Sequence, residues 1–183
     1  MLSDLQTKKL TRYFQVYDID DDGRIAATDF ERIIENVRVL HDAGNGSTGY
    51  DGLRAAYVAL WDRLREGADG DLDGGIDLDE WLAYWQLALE DDDRYEAEVA
   101  AITDRLFALF DLDGDDSIGL GEFADFYGVF GLAVSLAETV FVELDSNEDG
   151  AISRSELLEI SRQFYRGNDV EAAGNILFGP YGA

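Results

Sequence analysis

The stretch DSNEDGAISRSE, residues 145–156, puts oxygen-bearing side chains at its first, third, fifth and twelfth positions, glycine at the sixth and isoleucine at the eighth. The same pattern returns three times: DIDDDGRIAATD at 18–29, DGDLDGGIDLDE at 69–80 and DLDGDDSIGLGE at 111–122. In register, all four carry isoleucine at position 8 (Ile25, Ile76, Ile118, Ile152) and a carboxylate at position 12. Glycine fills position 6 in three of them (Gly23, Gly74, Gly150), and Asp116 replaces it in the third segment. An internal repeat of this kind governs the reading of everything around it.

The flanks repeat as well. Leu10, Tyr13, Phe14 and Tyr17 precede the first segment, and Phe30, Ile33, Ile34 and Val37 follow it. Both sets fall at i, i+3, i+4, i+7, the spacing of one helix face. Leu106, Phe107 and Phe110 precede the third, with Phe123, Phe126, Tyr127 and Phe130 after it. The fourth lies between Val140, Phe141, Leu144 and Leu157, Ile160, Phe164. Around the second, Trp61 and Leu64 precede and Trp81, Tyr84 and Trp85 follow, although Arg65 stands where an apolar residue is expected. Ser3 with Gln6, Thr28 with Glu31, Ser135 with Glu138 and Ser153 with Glu156 each fit a capping box at a helix start. Each unit therefore reads helix, twelve-residue loop, helix.

The loop composition suits a hard divalent cation, which takes six to eight oxygens at about 2.3–2.6 Å. Side chains at positions 1, 3, 5 and 12 and the backbone carbonyl at 7 converge on one point, and position 9 acts directly or through water. This is the EF-hand pattern, and four matches in register make it specific. The expected ligands are Asp18, Asp20, Asp22, the Arg24 carbonyl and Asp29 in the first loop. In the second they are Asp69, Asp71, Asp73, the Gly75 carbonyl, Asp77 and Glu80. The third offers Asp111, Asp113, Asp115, the Ser117 carbonyl and Glu122, and the fourth Asp145, Asn147, Asp149, the Ala151 carbonyl and Glu156. The expectation is up to four Ca²⁺. Asp116 tolerates positive φ at some cost and weakens the third loop. Asp29 is one methylene shorter than glutamate, so bidentate reach is difficult and the first loop is weaker or takes Mg²⁺ as well. A solvated acidic turn would need neither the isoleucine spacing nor the terminal carboxylate.

Composition narrows the alternatives. The 183 residues carry a formal charge of −26, which disfavours phosphate backbones and anionic membranes, so no nucleic-acid or membrane partner is expected. Hydrophobic residues at 46% are enough for a packed core despite that charge. No cysteine is present, which removes disulfides and thiol nucleophiles. No apolar run approaches the roughly 18 residues of a spanning helix, and the N-terminus has no apolar signal core, so a cytoplasmic monomer is expected. The sequon at Asn45 carries little weight in that setting. His41 is the only histidine, placed in the polar connection at 41–49, where a solvated linker role is expected. No nucleophile–base pair stands out, and the carboxylates are accounted for by metal, so the chain is not expected to be an enzyme.

The expected fold is all-α: a compact four-EF-hand body of two paired halves, with short two-stranded β-ribbons joining paired loops at Ile25–Ile76 and Ile118–Ile152. The break at 91–93 separates an N-terminal pair (1–90) from a C-terminal pair (94–166), and the tail (167–183) packs back through Ile176-Leu177-Phe178. At this point the chain resembles the sarcoplasmic calcium-binding proteins, especially the calerythrin-like prokaryotic members. The resemblance rests on loop starts at 18, 69, 111 and 145, on Asp29 closing the first loop, and on the tail GNDVEAAGNILFGP. It departs in the fully formed fourth loop and in Asp116. It implies a compact calcium buffer and identifies no protein target. Met1 is the only methionine, whereas sensor grooves are commonly methionine-rich, so the aromatic faces point to a permanent core. A calcium sensor that exposes an apolar surface to a target is the alternative. A photoprotein-like chromophore holder, suggested by Trp61, Trp81 and Trp85, is a more distant one.

Overall fold

The computed structural model describes residues 1–43, 50–111 and 113–181; the side chains of residues 41–43, 50–53, 56 and 108 also lie outside the description. Among the described residues, helices α1 (Asp4–Tyr17) and α2 (Ala27–Ala43) flank the first loop, and α3 (Tyr50–Ala68) and α4 (Leu78–Glu90) the second. Helices α5 (Asp92–Phe110) and α6 (Leu120–Val129) flank the third, and α7 (Ala137–Leu144) and α8 (Arg154–Tyr165) the fourth. Two short antiparallel ribbons join the loops: β1 (Arg24–Ile25) with β2 (Ile76–Asp77), and β3 (Ser117–Gly119) with β4 (Ala151–Ser153). Ile25 stands opposite Ile76 and Ile118 opposite Ile152, as the repeat predicts. No described helix is long and apolar enough to cross a membrane.

The amphipathic faces meet in one contiguous core that runs through both pairs of loops. The α3 face is Tyr57, Leu60, Trp61, Leu64 and Ala68, so the small Ala68 completes the stripe that Arg65 interrupts on paper. Tyr13 of α1 is the hub. Its ring lies 5.2 Å from Trp81 and 5.8 Å from Trp85, both on α4, and 5.4 Å from Tyr165 on α8. Phe178 of the tail stacks on the same ring at 4.7 Å and 18°. The tail reaches this position through a 3-10 helix, Ala173–Ile176, and Leu177 and Phe178 are buried.

Lys9 ties the two ends of the chain together. Its side chain is fully buried, and Nζ donates to the carbonyls of Gln163 and Gly167 and to Asn175 Oδ1, all at 2.8–2.9 Å. Those carbonyls belong to the last turn of α8 and the residues after it, where unpaired acceptors collect and a cation is favourable.

Four local expectations change. Helix α2 begins at Ala27, so Thr28 and Glu31 do not form its cap; Asp29 Oδ2 accepts the Ala26 N–H at 2.8 Å instead. Helix α7 is entered through a 3-10 turn, Val134–Leu136, and Leu136 caps it without a side-chain bond, so Ser135 and Glu138 make no box. The connection expected at 41–49 starts later, because α2 continues through His41 to Ala43. The His41 side chain and the Asn45 sequon lie outside the described residues. The Ser3–Gln6 and Ser153–Glu156 boxes are present, and Asp77–Glu80 forms one that the S/T pattern misses. Between α4 and α5 the helical path breaks at Asp91 alone, whose side chain caps α5 by accepting the Arg94 N–H.

Candidate metal centres

Each loop is launched from the end of a helix. The position-1 N–H of Asp18, Asp69, Asp111 and Asp145 donates to the carbonyl four residues earlier, which fixes the first carboxylate as a helix C-cap. The chain then turns twice through left-handed backbone. Position 4 has φ of 56° at Asp21, 61° at Leu72, 74° at Gly114 and 58° at Glu148. Position 6 has φ of 88°, 93° and 89° at Gly23, Gly74 and Gly150, and 64° at Asp116. A side chain in this region is strained unless it is Asn or Asp, which tolerate it best. Asp116 therefore completes the same turn as glycine with a smaller excursion. No glycine signals the position-4 turn in three of the loops, so sequence reasoning misses it.

The turns aim backbone N–H groups at the carboxylates. Asp18 accepts from Asp22 and Gly23, Asp69 from Asp73 and Gly74, Asp111 from Asp115 and Asp116, and Asp145 from Asp149 and Gly150, at 2.8–3.3 Å. Position-5 carboxylates accept the position-7 N–H: Asp22 from Arg24, Asp73 from Gly75, Asp115 from Ser117 and Asp149 from Ala151. Arg24, Ser117 and Ala151 of that set each open a ribbon strand, and Gly75 immediately precedes one. The side-chain oxygens of Asp18, Asp20 and Asp22 converge within 4.8 Å, as do those of Asp69, Asp71 and Asp73, and those of Asp111, Asp113 and Glu122. In the fourth loop Asn147 supplies an amide oxygen at position 3 and accepts the Asp149 N–H at 2.8 Å.

The twelfth residue clasps each loop. Glu80 Oε1 accepts from Gly70 and Oε2 from Asp77, while Asp77 Oδ1 accepts the Glu80 N–H in return. Glu122 Oε2 accepts from Gly119. Glu156 Oε2 accepts from Ser153 and Oε1 from Ser146 Oγ. Asp29 makes the same clasp with a shorter arm, accepting from Ile19 at 3.1 Å and Ala26 at 2.8 Å. It is drawn in until it is only 1% exposed. In that loop Asp20 also pairs with Arg32 at 3.0 Å.

Electrostatics suit a cation. Burial pushes the Asp18 and Asp29 carboxyls above the usual range, backbone N–H bonds oppose that, and the neighbouring carboxylates add to it. Burial also works against the charge of Glu156, but bonds from Ser153, Ser146 and the Asn147 N–H outweigh it and hold its pKa below the ordinary value. Hard oxygens of one sign, converging on turns of this radius, fit Ca²⁺ or Mg²⁺ and no soft metal.

The EF hand family model matches residues 136–161, the fourth loop with its helices. Calerythrin from Saccharopolyspora erythraea is 23% identical over 177 residues, covering 95% of this chain and all of that protein. Among solved structures, the calcium-loaded apo form of the coelenterazine-binding protein from Renilla muelleri aligns with a TM-score of 0.76 at 23% identity. That alignment covers 97% of this chain and 99% of the other. A sarcoplasmic calcium-binding protein from amphioxus aligns with a TM-score of 0.73 at 20% identity, over 98% and 99% of the two chains. The chain is thus similar over its length to calerythrin and shares its fold with a sarcoplasmic calcium-binding protein, and its fourth helix–loop–helix unit matches the EF hand model.

Proposed function

We propose that the chain is an intracellular calcium buffer: a monomer that takes up to four Ca²⁺, with Mg²⁺ competing at the first loop. The ligands are the carboxylates, the Asn147 amide oxygen and the position-7 carbonyls described above, with Asp77 serving the second loop through its ninth position. No catalytic step belongs to this reading, because the acidic groups are already engaged in clasping loops.

The observation that carries it is the continuous aromatic core. Tyr13 touches rings from both pairs of loops and from the tail, so the halves share one interior instead of hiding separate grooves. Stiff rings such as Trp81, Tyr127 and Phe164, all at most 1% exposed, suit permanent burial. Four doubly charged ions would also cut the formal charge from −26 to −18, so loading relieves repulsion and stabilises the packed state.

One feature favours the sensor reading. A surface groove of about 440 Å³ lies between α2 and α6, lined by Val39, Leu40, Val129 and Val134. Val39 and Val134 are 55% and 51% exposed. A chromophore-holding role finds less support: the cavities around Tyr13 and Phe126 measure about 10 and 20 Å³, room for a water molecule at most, and the larger one of about 370 Å³ at Phe30 and Trp61 is shared with the charged Glu31, Glu35 and Arg54. Calcium titration in the presence of an apolar fluorescent dye separates the first two readings. A buffer loses dye fluorescence on loading, as the core tightens. Fluorescence gained on loading would overturn the proposal in favour of a sensor.

A further inference from the structure

We propose that Arg24 is a built-in counter-ion of the second loop and lowers that loop's affinity for divalent cations. The inference rests on the calcium-binding reading and concerns how one of its sites is tuned. Arg24 stands at position 7 of the first loop, where its backbone carbonyl is a ligand candidate. Its side chain serves the neighbouring loop. The ribbon register places Arg24 opposite Asp77, the ninth residue of the second loop. From there Nη2 donates to Asp73 Oδ1, the position-5 carboxylate oxygen that also accepts the Gly75 N–H.

Gly75 is what admits the guanidinium. A Cβ at that position would lie 2.8 Å from Arg24 Nε and 2.9 Å from Nη2, so any larger residue would force the guanidinium to shift from this position. Asp71 and Glu80, the third and twelfth residues of the same loop, also face the arginine charge. The C-terminal pair has no arginine at position 7, where Ser117 and Ala151 stand; among the described residues its cross-loop arginine is Arg154, which approaches Asp116 at position 6 of the third loop to 3.5 Å and no position-5 carboxylate. Among the described residues the position-5 carboxylates Asp22, Asp115 and Asp149 carry no arginine or lysine partner.

A divalent ion in the second loop must therefore share Asp73 with a fixed positive charge. The loop richest in carboxylates is opposed at its fifth position, by an arginine that comes from the neighbouring loop; in the first loop Asp20 pairs with Arg32 of the helix that follows it. The Arg24 and Asp73 side chains are both about 40% exposed, so solvent screens the repulsion. A unit charge about 6 Å from a doubly charged ion, at the dielectric of water, still lowers affinity roughly tenfold.

The test uses the full chain freed of divalent ions, with calcium titrated while amide NMR follows two glycines. The Gly74 N–H donates to Asp69 at 3.1 Å and reports the second loop; the Gly150 N–H donates to Asp145 at 2.8 Å and reports the fourth. Arg24→Gln keeps the backbone carbonyl of the first loop and removes the charge. We expect the Gly74 midpoint to fall to roughly tenfold lower calcium at low salt, with Gly150 unmoved and Arg24→Lys close to the parent. A Gly74 midpoint that stays put or rises, while both glycines respond to calcium, overturns the counter-ion role alone. Silence of both glycines in the parent protein overturns the calcium reading itself, and this inference with it.

Discussion

Replacing Glu156 by glutamine separates two roles that the structure gives to one side chain. As the twelfth residue of the fourth loop, its carboxylate would sit about 2.5 Å from a bound ion. Removing one unit of charge from that distance costs ~3 kcal/mol against a doubly charged ion even at the dielectric of water, or about a hundredfold in affinity. As the N3 residue of α8, Glu156 also accepts the Ser153 N–H at 3.0 Å and the Ser153 and Ser146 hydroxyls at 2.7 and 2.9 Å. Glutamine keeps one acceptor and turns the other end into a donor, which should cost a capping interaction of about 1 kcal/mol with no ion present. Titration calorimetry on divalent-free protein should show one fewer tight calcium per chain. Melting in chelator should show only the smaller loss. An isotherm with the parent's stoichiometry and affinity would refute the assignment of Glu156 as a ligand.

Phe178→Ala removes the ring stacked on Tyr13 and packed against Phe164 at 5.0 Å, and should cost ~3–5 kcal/mol in chemical denaturation. Amide exchange should rise in α1 and α8 together; protection unchanged in α1 would count against the tail's part in the shared core. Asp116→Gly removes a side chain from a backbone at φ 64° and should raise the calcium affinity of the third loop, by up to about fivefold for ~1 kcal/mol of relieved strain. Its exposed contact to Arg154, at 3.5 Å, is worth little in comparison. Burial pushes the Lys9 ammonium down from 10.5 to about 8, so the unfolded chain holds that proton to higher pH than the folded one. Stability should then rise between about pH 8 and 10, until Tyr13 and Tyr165, raised by burial above the ordinary 10, reverse the slope. Denaturant midpoints across that window should lose the rising limb in Lys9→Met, and an unchanged limb would refute it.

The periodic features were legible because each is fixed by one local rule. Ile25 and Ile76 had to face each other once two loops of equal length were paired, and the helix faces followed from a spacing of 3.6. Helix starts were less legible. Thr28 and Glu31 match a capping box by composition, but Asp29 is short enough to reach back to the Ala26 N–H and wins the position. Ser135 and Glu138 match too, yet the chain enters α7 through a 3-10 turn after Gly131 at φ 65°. Side-chain partners distant in sequence were not legible at all. Lys9 follows Lys8 and reads as a surface residue, although its partners lie 154–166 residues away. The register alone put Arg24 beside the second loop; that its side chain crosses to Asp73 depends on the space above Gly75, which no spacing rule reports.

The same long-range contacts bear on how calcium can act. A ligand shifts an equilibrium only by its differential affinity for the two states. For a sensor, the open state must bind calcium better by enough to part Tyr13 from Trp81, Tyr165 and Phe178. Each aromatic pair is worth about 0.5–1.5 kcal/mol beyond the burial of its surface, so those three contacts alone resist opening by several kcal/mol. In the proposed buffer the loops oppose that opening. Their clasps, from Asp29 to Ala26 and from Glu156 to Ser153, are bonds at the ends of helices already packed in the core, and they draw the loops shut in the same geometry that gathers the oxygens. On the buffer reading proposed above, calcium and the core favour the same conformation, and an ion entering any one loop strengthens the closed body; a switch would need the opposite.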